Sequence, residues 1–219
     1  RNRGLLEEVT VVESMPMRAS GVTITDDKPF DAEGLAIDAS GHAYVAFEFN
    51  HRLARVDVRS GRLDSGVSIP FDLKINGGVE ALAVHADGTL YGFPEMKPAK
   101  GAPFEVYRFR DGTWDVAAEL TYRRPFLPVG ADFDDRGRLW LLERAVTLLG
   151  FRSRIRMITM NGTDLSEITL LTTRSGQFDN LEGLSVWRDT DGKLRVTAIS
   201  DDNFLRVQGT QIVDFTVEE

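Results

Sequence analysis

The feature that most constrains the fold is a unit of roughly 50 residues, within the size range of propeller blades, that occurs four times along the chain. Each unit begins with a short apolar run, makes a tight turn through a glycine and continues in a second apolar run. The turn glycines stand 47, 49 and 55 residues apart, at Gly41, Gly88, Gly137 and Gly192. A chain with this repeat is predicted to stack several copies of one small supersecondary unit.

A second turn follows in every unit, so each unit holds two hairpins. These turns are at Ser60-Gly61, Asp111-Gly112, Asn161-Gly162 and Gln208-Gly209. Two hairpins make a four-stranded antiparallel sheet, and no segment has the sustained periodicity of a long amphipathic helix. The sequence therefore predicts an all-β protein, a β-propeller with four four-stranded blades, either complete or part of a larger ring. A β-sandwich is the competing architecture, but it needs no repeat near 50 residues.

The repeats indicate a single domain over residues 1–219. We expect its units at approximately 31–75, 76–125, 126–177 and 178–219. Residues 1–30 contain strand-like runs without a repeat turn, and we interpret them as the tail of a preceding blade.

Charge and composition exclude several classes of function. There are 26 basic and 34 acidic residues, which gives a net charge of -8, the wrong sign for neutralising nucleic-acid phosphates. The longest stretch without a charged residue is nine residues, from Ala39 to Phe47, too short to cross a bilayer as a helix. There is no cysteine, hence no disulfide and no thiolate ligand for zinc. We therefore expect neither a nucleic-acid partner nor membrane insertion.

Acidic residues recur at two positions of the repeat. First strands open with Glu33, Glu80 and Glu182, whereas the third unit has Val129 at this position. Second strands end with Glu48, Glu95, Glu143 and Asp201. Because the two strands of a hairpin are antiparallel, both sets are predicted at one rim of the propeller. Such a cluster must bind cations, pair with basic side chains or hold protons, unless its members are solvated turn formers.

An all-oxygen ligand set favours calcium, because zinc usually recruits His or Cys. We expect Glu33, Glu80, Glu182 and Asp201 to hold the ion, Glu143 to act as a base and Arg144 to contact an anionic substrate. Among the histidines, His51 lies in a connection at the rim and is a candidate for substrate binding.

Several strings of residues resemble the bacterial phytase-like family, which is described as having esterase-like activity. They are Glu80-Ala81-Leu82-Ala83-Val84, Leu141-Leu142-Glu143-Arg144, Asp179-Asn180-Leu181-Glu182-Gly183-Leu184 and Ser200-Asp201-Asp202-Asn203-Phe204. The resemblance implies a periplasmic or secreted β-propeller, distantly related to calcium-dependent phytases. It also implies that Asp202 is a further metal ligand and Asn203 a substrate contact, beside Glu33, Glu80, Glu143, Arg144, Glu182 and Asp201. We further expect a longer precursor with an export segment and part of another blade upstream of Arg1.

These observations lead to one functional hypothesis with two alternatives. The hypothesis is a metal-dependent hydrolase of phosphate esters or other esters, with a small-molecule substrate at the acidic mouth of the channel. The alternatives are a lactonase-like hydrolase and a non-catalytic propeller that binds a protein or a glycan. The oligomeric state is left open.

Overall fold

The computed structural model describes residues 6, 8–19, 22–23, 31–73, 77–161, 164–206 and 208–218. Throughout these residues the regular elements are β-strands, arranged in four small sheets that form the blades of a β-propeller. This confirms the predicted fold class. The same residues include no helix long and apolar enough to span a membrane.

The first sheet is the largest. Its strands are β1 (Arg18–Ala19), β2 (Val22–Thr23), β3 (Ala32–Ile37), β4 (Ala43–Phe47), β5 (Arg52–Asp57), β6 (Arg62–Leu63) and β7 (Val67–Ser68). Strands β3 to β6 form an antiparallel meander, and β7 also pairs with β5. Strand β1 adds to β6 in parallel, and β2 pairs with β1. Residues 24–30 lie outside the described residues, and the interpretation of residues 1–30 as the tail of a preceding blade stays a prediction.

The other three sheets follow the repeat. The second blade contains β8 (Val79–Val84), β9 (Leu90–Pro94), β10 (Phe104–Arg110) and β11 (Thr113–Leu120). The third contains β12 (Leu127–Phe133), β13 (Leu139–Thr147), β14 (Gly150–Asn161) and β15 (Asp164–Thr172). The fourth contains β16 (Leu181–Arg188), β17 (Leu194–Ser200) and β18 (Ile212–Thr216).

Two details differ from four identical four-stranded blades. Within the described residues the fourth blade has three strands, because Gln208-Gly209 lies in the long connection between β17 and β18 and not in a further hairpin. The first sheet is extended by the parallel pairing of β1 with β6. The third unit has the predicted second hairpin between β14 and β15, although Gly162 itself lies outside the described residues.

The core lies between successive blades. Inner strand β3 packs against β8, β8 against β12, and β12 against β16. One apolar cluster joins blades one and two around Leu82 and Tyr107, and the next joins blades two and three around Phe93 and Leu141. A third joins blades three and four around Trp140 and Leu181. The second and third blades therefore bury apolar residues against a neighbour on either side, whereas Leu35 of the first blade and Ile199 of the fourth are 58% and 43% exposed.

A β-bulge interrupts the first hairpin of every blade at the same place. The pairing register shifts between Ala32 and Gly34, between Val79 and Ala81, between Pro128 and Gly130, and between Leu181 and Gly183. The extra residues are therefore Glu33, Glu80, Val129 and Glu182. Because a bulge redirects a side chain and frequently lies beside a functional site, the backbone itself singles out the acidic position found in the sequence.

An aspartate closes the first turn of three blades. In the third blade one carboxylate oxygen of Asp134 accepts hydrogen bonds from the backbone N–H groups of Arg136 and Arg138, both at 2.9 Å. Its other oxygen accepts from Arg138 Nε at 2.6 Å and from Trp140 Nε1 at 2.9 Å. Asp38 and Asp189 bind their own turns in the same way.

We predict that Asp134→Ala lowers the free energy of unfolding by about 3 kcal/mol, because it leaves the buried indole N–H of Trp140 without its acceptor. Urea denaturation measures this change. The matched control is Asp191→Ala in the corresponding turn of the fourth blade, where the residue is exposed and we expect a change of at most about 0.5 kcal/mol. Equal losses in both variants would contradict the role given to Asp134.

Candidate functional site

The three glutamates at the bulges converge on the central channel. Glu33, Glu80 and Glu182 line one cavity of about 360 Å³, which is open to solvent. Val129, the residue at the fourth bulge, lines the same cavity. The residues at this repeat position therefore form one layer of the channel. Three blades contribute a glutamate to it, and the third blade contributes Val129.

Arg144 extends from β13 into this layer. Its guanidinium donates hydrogen bonds to Glu95 Oε1, to Glu182 Oε1 and, at 2.8 Å, to Asn180 Oδ1. The amide of Asn180, which is only 1% exposed, donates in turn to Glu182 Oε1 at 2.7 Å. Arg144 thus links the second blade to the fourth across the channel mouth.

We call Glu33, Glu80, Glu95 and Glu182 together with Arg144 the carboxylate ring. Among the described residues, Arg144 is the basic side chain in ion pairs with these glutamates, and its partners are Glu95 and Glu182. Four carboxylates therefore face one guanidinium in a half-buried site. The ring has an excess of negative charge that must be offset by protons or by a bound cation.

The pKa values reflect this excess. Burial, followed by repulsion from Glu95 and Glu33, raises the pKa of Glu80 to about 9, although Arg144 opposes the shift. Burial, followed by repulsion from Asp31 and Glu48, raises the pKa of Glu33 to about 7. Burial also raises the pKa of Glu182, against the attraction of Arg144 and the hydrogen bond from Asn180. Without a cation, part of the ring is protonated at neutral pH.

A second acidic group adjoins the ring at Glu33. Asp31, Glu33 and Glu48 each offer a carboxylate oxygen, and these oxygens all lie within 4.8 Å of one another. We call these three residues the acidic triad. Glu48 is buried, its Oε1 accepts a hydrogen bond from the N–H of Gly78 at 3.2 Å, and burial raises its pKa. Three oxygen donors at this separation fit a hard divalent cation, which takes carboxylate ligands.

Glu143, expected at the rim as a base, lies elsewhere. It is 2% exposed inside the third blade, where Oε2 accepts from Arg154 Nε at 2.6 Å and Oε1 accepts from an amino group of Arg156 at 2.7 Å. Arg156 also pairs with Glu167. Because successive residues of a strand point to opposite faces, Arg144 enters the channel and Glu143 is directed between the blades.

The remaining predicted residues lie around the ring without joining it. Asp201 is close enough to Glu182 to raise its pKa, and its Oδ1 accepts from the N–H of Asn203. The carboxylate of Asp202 accepts hydrogen bonds from Phe204 and Thr210 in its own loop, and the amide of Asn203 donates to Gln208. His51 is half-buried, and its positive form would lower the pKa of Glu48.

Asp31 and Asn180 were missed by the sequence analysis. Both occupy the residue just before the first strand, where backbone pairing joins Asp31 to Glu48 and Asn180 to Asp201. The signal that could have identified them is their spacing, since each stands two residues before a bulge glutamate. Residues two apart in a strand point to the same face of the sheet.

The comparisons with known proteins agree with this architecture. The family model described as "Phytase-like: Esterase-like activity of phytase" matches residues 2–204. Among curated proteins, none matches the sequence significantly.

The solved structures that resemble the chain are propellers of low sequence identity. A proposed gluconolactonase is 17% identical with a TM-score of 0.51, over 83% of this chain and 59% of its own. A gluconolactonase from Xanthomonas campestris is 15% identical with a TM-score of 0.48, over 81% and 58%. Virginiamycin B lyase from Staphylococcus aureus is 13% identical with a TM-score of 0.43, over 88% and 72%. The chain thus spans less than two thirds of both gluconolactonase structures.

We predict that the metal-free protein loses stability as the pH rises from about 5 to about 9. The pKa of Glu80 rises from 4.5 to about 9 on folding, so the unfolded chain ionises first and stability present at low pH is lost as the pH approaches 9. Thermal melts in chelator at pH 5, 7 and 9 measure this loss.

In these melts Glu80→Gln should reduce the loss of stability between pH 7 and 9, because it removes the titrating carboxyl group. Glu119→Gln, at an exposed position of β11, is the control and should keep the wild-type slope. A Glu80→Gln variant with that same slope would contradict the assignment.

Proposed function

Because the chain belongs to the phytase-like family, we propose that it is a calcium-dependent hydrolase of phosphate esters or carboxylic esters that acts at the carboxylate ring. The observation that supports this most strongly is the coincidence of three features. They are an acidic triad with oxygens within 4.8 Å, a ring with one guanidinium for four carboxylates, and a cavity of about 360 Å³ lined by Glu33, Glu80 and Glu182.

The acidic triad supplies the ligands for the ion in this proposal. Its donors are all carboxylate oxygens, which suits calcium. Burial and repulsion from neighbouring carboxylates raise the pKa values of Glu33 and Glu48, and a bound cation would favour their ionised forms. When bound, the ion would lower the pKa of a coordinated water and reduce the charge that repels an anionic substrate. Asp31 and Glu48 would take part beside Glu33, which the sequence had already nominated.

Arg144 orients the other half of the ring. Its hydrogen bonds to Glu95 and Glu182 fix both side chains, and Asn180 holds Glu182 from a second direction. Because burial raises the pKa of Glu182 against the attraction of Arg144 and the hydrogen bond from Asn180, this carboxylate is a stronger base than an exposed glutamate. Glu182 is therefore our candidate to accept a proton from the attacking water.

Glu80 complements Glu182. With a pKa of about 9 it carries a proton at neutral pH, and it lines the same cavity as Glu182. In the hydrolysis, the water oxygen bonds to the carbonyl carbon or the phosphorus, and the bond from that atom to the leaving oxygen breaks. Glu182 takes the proton from the water and Glu80 gives one to the leaving alcohol.

We predict that calcium stabilises the protein and that Glu33→Gln reduces this effect. Binding to the folded state alone adds about 2.7 kcal/mol when calcium is at 100 times its dissociation constant. Thermal melts with calcium, magnesium and chelator should therefore separate for the wild type, and the calcium shift should shrink in Glu33→Gln and persist in Glu119→Gln. Wild-type melts that coincide in all three conditions would contradict the metal site.

We also predict that Glu80→Gln lowers kcat about 100-fold, the smaller end of what general acid catalysis contributes. The measurement is release of acetate from ethyl acetate and of phosphate from β-glycerophosphate at saturating calcium, because their alkoxide leaving groups need a proton; Glu119→Gln is the control at wild-type rate. If the calcium-loaded wild type cleaves neither compound faster than buffer does, the ring is not catalytic toward simple esters and the propeller is better explained as a binding module.

A further inference from the structure

Gly78 occupies a position of the repeat at which the first and fourth blades carry a polar side chain. It stands two residues before the bulge of its blade, as Asp31 does in the first blade and Asn180 in the fourth. At all three positions the backbone carbonyl accepts a hydrogen bond from the residue that follows the second strand. The second blade therefore has the same backbone pairing but leaves a space where the other two place a carboxylate and an amide.

The side chain of Glu48 fills this space from the neighbouring blade. A Cβ atom added to Gly78 would lie 2.9 Å from Cγ of Glu48 and 3.4 Å from its Cα, and the three nearest heavy atoms all belong to Glu48. A separation of 2.9 Å is well inside the contact distance of two carbon atoms. The φ angle of Gly78 lies outside the left-handed region, so the close approach of Glu48, and not the backbone conformation, requires the glycine.

The backbone of Gly78 also joins the two acidic groups of the site. Its N–H donates to Oε1 of Glu48 at 3.2 Å, and its carbonyl accepts from the N–H of Glu95 at 3.2 Å. Glu48 belongs to the acidic triad and Glu95 to the carboxylate ring. One buried glycine thus lies between the two groups and holds a carboxylate oxygen of the triad.

We infer that Gly78 is a positioning residue of the site, which directs the carboxylate of Glu48 toward Asp31 and Glu33. It does so by leaving room for the Glu48 side chain and by donating a hydrogen bond to Oε1. The inference rests on the proposed function for the bound ion. An alanine at this position would keep the backbone bond to Glu95 but would displace Glu48 from the other two ligands of the triad.

Calcium binding tests this role without requiring turnover. We expect Gly78→Ala to raise the dissociation constant of calcium at least about tenfold, which is the usual cost of losing a group that orients a metal ligand. The matched control is Gly92→Ala on β9, whose Cβ would lie 2.8 Å from Cγ1 of Val79, outside both acidic groups. It should lose stability and keep the wild-type dissociation constant.

Calorimetric titration of the whole chain, at a temperature at which both variants are folded, measures these constants. Equal losses of calcium affinity in Gly78→Ala and Gly92→Ala would overturn the inference, because a general disturbance of the second blade would then explain both.

Thermal melts in chelator test the contact itself. Gly78→Ala should lower the melting temperature by about 5 °C, because it overpacks a buried position. This loss should disappear in a Glu48→Ala background, which lacks the Cγ atom that the new methyl group meets. If Gly78→Ala alone does not fold, Glu48→Ala should restore folding. Additive losses, or a double variant that stays unfolded, would overturn the inference.

The two measurements also separate this inference from the proposed function. A calcium affinity that falls in Gly78→Ala, in a protein that cleaves no ester, supports the positioning role and contradicts the hydrolase. Wild type and Gly78→Ala that bind calcium equally well leave the metal site intact and overturn only the inference. A wild type that binds no calcium overturns both.

Discussion

Like charges repel strongly when a fold holds them at the mouth of a partly buried channel, because solvent screens them less there than at an open surface. In this propeller the backbone imposes that arrangement. The β-bulges at Glu33, Glu80 and Glu182 direct three carboxylates inward, and the residue after β9, Glu95, brings a fourth. The packing of the inner strands keeps these side chains from moving apart.

The two sides of the site differ in how this repulsion is offset. On one side, Arg144 and Asn180 bind Glu182, and Arg144 also binds Glu95, so that this half of the ring is partly neutralised and fixed in orientation. On the other side, the three carboxylates of the acidic triad lie together, and the pKa of Glu33 rises to about 7. The triad is the part of the site that a cation can complete, and the half that Arg144 orders is the one suited to proton transfer.

Much of this arrangement could be predicted from sequence because it follows from repetition and strand parity. The turn glycines fixed the blade period, and antiparallel pairing placed Glu33, Glu80 and Glu182 at one rim. The prediction for Glu143 failed because this residue is displaced by one position from the repeat. Counted from the turn glycine, Arg144 and not Glu143 stands where Glu48 and Glu95 stand, and a shift of one residue moves a side chain to the other face of the sheet.

Other features depend on contacts between distant residues and could not be predicted. The pairing of Arg144 with Glu95 and Glu182 joins three blades, and the burial of Glu143 against Arg154 and Arg156 requires the exact length of β13 and β14. The short fourth blade is similar, since Gln208-Gly209 has the composition of a hairpin turn but lies in a connection whose conformation is set by Asp202 and Ser200.

The central claim is that a cation and protons compete for the same carboxylates. The most direct measurement is calorimetric titration of calcium into the chelator-treated protein at pH 7 in buffers of different ionisation enthalpy, which counts the protons released per ion bound. With Glu33 a ligand of the ion and its pKa at about 7, the account predicts calcium binding with a net release of protons. Absence of binding, or binding with an apparent enthalpy that is the same in every buffer, would contradict it.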